Sequence, residues 1–124
     1  MIHWKDIDSS SKFRRKKVVE GRYLIYKEFV HSMGYTLSEW LKTVYLSHRN
    51  HLIVKNRFPY NFEKKILHYV LFSRHNLSNY KINYIVKKFL KKNFNRKLHF
   101  KIHYNNDKSV KDLEHYHIFV HLSP

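Results

Sequence analysis

From Phe13 to Met33 apolar residues recur at three- and four-residue steps, through Val19, Tyr23, Tyr26, Phe29 and Val30, and this period predicts a helix. Gly34 follows as a C′ stop, because glycine takes the left-handed conformation that ends many helices. Thr36-Leu37-Ser38-Glu39 fits a capping box, in which Thr and Glu satisfy each other's free N–H groups. The helix it opens is expected to bury Leu37, Trp40, Leu41, Val44, Tyr45 and Leu52. It should stop before Asn56-Arg57-Phe58-Pro59-Tyr60, since proline disfavours helix at the residue before it.

Period two then takes over. Ile66 to Ser73 reads as a strand, with Leu67, Tyr69 and Leu71 on one face and His68, Val70 and Phe72 on the other. Ser78 is a candidate N-cap for a helical stripe of Ile82, Ile85, Val86, Phe89 and Leu90, outside which Lys87, Lys88, Lys91 and Lys92 largely fall. Lys97 to Tyr104 alternates, with Leu98, Phe100, Ile102 and Tyr104 opposite His99, Lys101 and His103. Glu114 to Leu122 alternates again, with Tyr116, Ile118, Val120 and Leu122 opposite His115, His117, Phe119 and His121. The order α-α-β-α-β-β predicts one α+β domain over residues 13–124, with helices packed on a small, largely antiparallel sheet. Residues 1–12 read as a loose leader.

Composition narrows the class. A 124-residue chain with 43% hydrophobic and 17% aromatic residues has the material for a core, which disordered tails lack. No run of 18 apolar residues is present to span a membrane, and the charged N-terminus has no apolar signal region. Cysteine is absent, which removes thiol chemistry and fits an intracellular, reducing site. Ala and Gln are also absent while Lys, Asn, Ile, Tyr and Phe abound, a usage that points to an AT-rich genome such as that of a large DNA virus, a symbiont or a parasite.

Charge changes the picture most. Twenty-five Lys and Arg against nine Asp and Glu give +16. Between Lys64 and Asn106 there is no acidic residue and there are eleven basic ones. Such an imbalance attracts polyanions, with affinity that falls as salt rises. The candidate nucleic-acid contacts are Lys87, Lys88, Lys91, Lys92, Arg96 and Lys97.

Among eleven histidines, His115 and His117 lie two apart on one strand face, and His68 has matching parity on another strand. If the strands are neighbours the three converge. Converging imidazoles can hold phosphate, supply a nucleophile and a general acid, or bind zinc with a further ligand; equally, they can be structural residues hydrogen-bonded to backbone.

The chain resembles an uncharacterised, mainly fungal family that includes the N-acetylglucosamine-induced protein. The resemblance runs over roughly residues 20–122. It is carried by Asn56, Phe58, Pro59 and Tyr60, by Ile66, His68, Val70 and Phe72, by Lys108, Ser109 and Val110, and by Glu114, His115, Tyr116, His117 and Ile118. Arg57 stands where the family carries an acidic residue, and Phe72 where it carries tryptophan. The segments His68 to His75 and Asn105 to Val120 are also similar to histidine-triad nucleotide hydrolases and transferases. That similarity implies His117 as nucleophile, His115 as its neighbour, and Asn105 and Ser109 beside His68 as phosphate contacts. Phe119 occupies the place of the third histidine.

The sequence therefore predicts a non-enzymatic basic protein that binds nucleic acid or phosphate, with no cofactor and no resident metal. The alternative is a histidine-triad-like nucleotide phosphohydrolase or transferase using His117.

Overall fold

The computed structural model describes residues 1–8, 12–104 and 113–122. The first helix, α1 (Lys17–Ser32), ends at Gly34, whose φ of +87° is the left-handed conformation expected of a glycine stop. The second, α2 (Leu37–Leu46), opens on the full capping box: Glu39 N–H donates to the Thr36 hydroxyl, and Thr36 N–H donates back to the Glu39 carboxylate. Then come β1 (His51–Lys55), β2 (Ile66–Ser73), α3 (Asn79–Phe94), β3 (His99–Tyr104) and β4 (Glu114–His121). Ser78 caps α3 by accepting from Lys81 N–H.

The four strands form one sheet in the order β1-β2-β4-β3, and every neighbouring pair is antiparallel. The α+β class and the antiparallel sheet follow the sequence reading. One strand was hidden in it. Residues 51–55 are not the end of the second helix; that helix stops at Leu46, and Leu52 is a strand residue paired with Phe72. A short apolar run such as Leu52-Ile53-Val54 carries no helix-or-strand signal of its own, and here pairing with β2 decides it.

Alternation along β2 and β4 sorts the core into two layers. On one face Leu71, Tyr116, Ile118 and Val120 are buried under Ile82, Ile85, Val86 and Leu90 of α3, with Phe100 and Ile102 half-buried beside them. On the other face Val70 and Phe72 are buried against Leu41 and Leu46 of α2, while Ile66 and Phe119 are covered by the N-terminal segment. Two expected core residues lie outside. Phe29 and Val44 are exposed. At 100° per residue Phe29 stands about a quarter turn from the inward row of Val19, Tyr23, Tyr26 and Val30.

The first residues are docked, not loose. Trp4–Asp6 form a turn of 3-10 helix, Ile2 bridges to Phe62, and Ile7 is buried. Lys101 Nζ donates to the carbonyls of Trp4 and Ile7 at 2.8 and 3.0 Å and sits 4.6 Å from the centre of the Trp4 ring. The strand face carrying Lys101 and His103, polar in sequence, is thus partly covered; the His103 and Phe13 rings meet edge to face 4.8 Å apart. Three apolar anchors, Ile2, Trp4 and Ile7, outweigh the polar composition of this stretch.

Candidate functional site

Sheet register brings two histidines together. His68 is opposite Phe119 and His117 is opposite Val70, so the imidazoles are diagonal neighbours on one face of β2 and β4. His68 Nε2 and His117 Nδ1 are 2.7 Å apart, and both residues are buried. The loop from Asn56 to Tyr60 folds over them. Asn56 Oδ1 accepts from Phe58 N–H at 2.8 Å, a tight turn made by the asparagine side chain, and its own N–H donates to the His68 carbonyl. The turn delivers Tyr60, whose N–H donates to His68 Nδ1 at 3.3 Å.

That backbone donor favours one proton arrangement. A peptide N–H can only donate, so His68 Nδ1 accepts and Nε2 carries the hydrogen of the neutral ring. His68 Nε2–H then donates to His117 Nδ1, which leaves the His117 hydrogen on Nε2, 3.5 Å from the Tyr60 hydroxyl. Asn56 Nδ2, a donor because Oδ1 accepts from Phe58 N–H, lies 3.2 Å from the same His68 nitrogen; with the hydrogen on Nε2 this contact is not a hydrogen bond and opposes that arrangement. Burial holds both rings neutral. The His117 pKa is pushed down to about 3, first by burial and then by His115, His103 and Arg15; that of His68 falls well below the usual histidine value for the same first cause, with His117, Arg15 and His103 adding to it.

His117 lies on the floor of a cleft with about 100 Å³ of internal space, between the sheet, α1, α2 and the Asn56 turn. Val54, Val70, Phe72, Leu37 and Leu41 make it apolar below, and Tyr23, Tyr26, Tyr45 and Phe58 wall it with rings. Three cations line it: Arg15, Lys55 and Arg57. No Asp or Glu does. Arg15 is held in place. Its Nε–H donates to the Phe58 carbonyl at 2.6 Å, its Nη1 reaches Glu20 at 3.2 Å, and its guanidinium lies 4.3 Å from the centre of the Tyr23 ring and 5.3 Å from that of Tyr60. Arg57 lies over Tyr26 at 5.0 Å. Trp40 Nε1–H donates to the Tyr26 hydroxyl at 2.7 Å, and Tyr45 stacks on Phe72, so both walls are fixed.

His115 lines the same cleft, half-buried. Its Nδ1–H donates to the Leu113 carbonyl at 3.1 Å, which leaves Nε2 as an acceptor. The three expected histidines therefore divide: His115 and His117 face the cleft, while His68 stands behind His117 and orients it. Asn105 and Ser109 lie outside the described residues. The expected nucleic-acid contacts are elsewhere. Lys87, Lys88, Lys91 and Lys92 are exposed on α3, across the sheet from the cleft; Arg96 donates to the Leu122 carbonyl and Lys97 is exposed. The cleft's own cations were not anticipated. Arg15 was visible in sequence only as part of the Arg14 to Lys17 run, and Arg57 only as a departure within a motif. Among the described residues no group of three or more His, Cys, Asp or Glu side chains is placed to hold a metal ion, and no helix is long and apolar enough to cross a membrane.

Fold and site together define a small α+β domain with a basic, aromatic-walled cleft over a buried histidine pair. Residues 3–121 match the model of a family described as "Protein of unknown function (DUF3605)", and the chain belongs to that family. A solved structure described as "Crystal Structure of HTC1" has the same fold, with a TM-score of 0.70 at 16% identity over 98% of this chain and 85% of that one. No curated protein matches.

Proposed function

We propose that the protein binds a small phosphate-bearing ligand with an apolar or aromatic body, of the nucleotide type, in the cleft over His117, and that it does so without turning it over. The observation that carries this reading is the lining: Arg15, Lys55 and Arg57, with no carboxylate among the described lining residues and Glu20 reaching Arg15 from outside it, around a floor and walls of rings and aliphatic side chains. Guanidinium groups suit phosphate oxygens, and Arg15 is already oriented by its bond to the Phe58 carbonyl. His117 adds a ring held neutral by burial at the floor.

Two features favour binding over chemistry. A nucleophilic His117 needs a lone pair on Nε2, the nitrogen not bonded to His68, and the order from Tyr60 N–H through His68 favours a hydrogen on that nitrogen. A general acid or base also works best with a pKa near the working pH, and that of His117 is pushed down to about 3.

Nuclear magnetic resonance titration with nucleoside monophosphates, the matching neutral nucleosides and orthophosphate tests the reading. Nucleotides should shift the signals of His115, His117, Tyr23 and Tyr26, and Arg15→Ala or Arg57→Ala should remove the response. Equal response to nucleosides and nucleotides, or none to either, would overturn it. Release of phosphate that is lost in His115→Asn or His117→Asn would make the site catalytic instead.

A further inference from the structure

The outer face of α3 carries a row that the cleft does not use. Tyr80, Tyr84, Lys87 and Lys91 are spaced i, i+4, i+7 and i+11, so they fall on one stripe about 16 Å long. The stripe points away from the sheet, opposite Ile82, Ile85, Val86 and Leu90, which are buried beneath the helix. Tyr80 is 82% exposed and Tyr84 51%. Large rings held in water on a helix that already has a full apolar face contribute nothing to the core.

Charge surrounds the rings. Lys81, Lys88 and Lys92 flank the stripe, α3 contains no acidic residue, and none of its lysines forms an ion pair among the described residues. Lys81 Nζ lies 5.8 Å from the centre of the Tyr84 ring. At the start of the helix Tyr104 adds a third, partly exposed ring, whose hydroxyl donates to Asn79 Oδ1. Lysine alone would serve any polyanion. Exposed rings in line with lysines serve one whose flat, unpaired bases can lie on them while its phosphates meet the ammonium groups.

We propose that the outer face of α3 binds single-stranded nucleic acid, with Tyr80 and Tyr84 stacking on bases and Lys87 and Lys91 contacting phosphates. A duplex keeps its base faces covered and would use the lysines only. This surface lies across the sheet from the cleft and is independent of the small-ligand reading.

Fluorescence anisotropy with a labelled single-stranded oligonucleotide of about 12 nucleotides, at about 50 mM salt, tests it. Competitors are the same sequence as a duplex, and inorganic polyphosphate. Tyr80→Ala and Tyr84→Ala should each weaken binding about fivefold or more while leaving the salt dependence unchanged, because stacking releases no counterions. Lys87→Ala with Lys91→Ala should flatten the log–log salt slope by about 0.7 for each phosphate no longer neutralised. All four side chains are exposed, so thermal unfolding of the variants should match the parent. Arg15→Ala should bind the oligonucleotide normally. Absence of binding at this salt would overturn the proposal. So would equal competition by polyphosphate with no effect of the tyrosine changes, which would mark generic polyanion attraction. Tighter binding to vesicles containing anionic lipid, lost in the tyrosine variants, would identify a membrane surface and overturn it as well.

Discussion

His68 donates from Nε2 to Nδ1 of His117 across 2.7 Å, and Tyr60 N–H, donating into the far side of His68, sets the direction of that bond. Burial keeps both rings neutral, and the Tyr60 donor favours one proton order across the pair. Nitrogen-15 shifts at pH 7 should show His68 protonated on Nε2 and bare on Nδ1, and His117 likewise. The reverse tautomer at His117 would give the cleft a basic nitrogen and restore the nucleophilic reading.

The same pair makes the fold acid-sensitive. Both pKa values lie below those of the unfolded chain, so below pH 6.5 the unfolded state binds more protons than the native one and stability falls as pH falls. For His117 the window runs from about 6.5 down to about 3. At pH 5 its contribution alone amounts to a loss of about 2 kcal/mol relative to pH 7. Urea midpoints measured from pH 7.5 to 4.5 should decline steadily, and a flat profile would contradict the buried neutral pair.

Phe119 is fully buried among Phe13, Phe62, Tyr60 and His68. It packs against His68 and His117 and is not among the residues that line the cleft. Phe119→His should therefore add no imidazole to the cleft. It should place an imidazole among rings at a cost on the order of 2 kcal/mol, with nucleotide response unchanged. A gain of phosphoester cleavage in this variant would show that the site is a histidine triad lacking one member.

Burial separates residues that the alternating pattern treats alike. Leu71 is fully buried under α3, so Leu71→Ala should cost about 2–5 kcal/mol in chemical denaturation. Phe100 sits at the same face but on the outer strand and only half-buried. Phe100→Ala should fall below the 3–5 kcal/mol typical, on the order of magnitude, of a buried phenylalanine.

Thr36→Ala removes half of the capping box of α2 and should lower stability by about 1 kcal/mol, with Thr36→Ser nearly neutral. Because α2 supplies Leu37 and Leu41 to the cleft, the alanine variant should also weaken ligand response modestly.

Elements with strong local signals were legible in the sequence. Gly34, Thr36, Glu39 and Ser78 sit where their backbone chemistry places them, and β2 spans the residues its alternation indicated. The parity of His68, His115 and His117 put all three on one face, as the register has it. What could not be read depended on segments without a period. Whether Leu52-Ile53-Val54 extends a helix or forms an edge strand is decided by β2, not by those residues. Arg15 and Arg57 meet in the cleft because two irregular stretches pass each other, and their link is the 2.6 Å bond from Arg15 to the Phe58 carbonyl. Nothing local in either stretch encodes it.

The two faces of β4 do separate jobs one residue apart: His117 looks into the cleft, while Tyr116 and Ile118 seal the core under α3. Slipping this strand by a single position against β2 would exchange them, setting an imidazole beneath α3 and isoleucine in the floor of the cleft. An inserted or deleted residue between Glu114 and His121 therefore damages the core under α3 and the cleft in the same stroke, whereas most substitutions there harm only one. Related chains should vary in length around this strand and not within it.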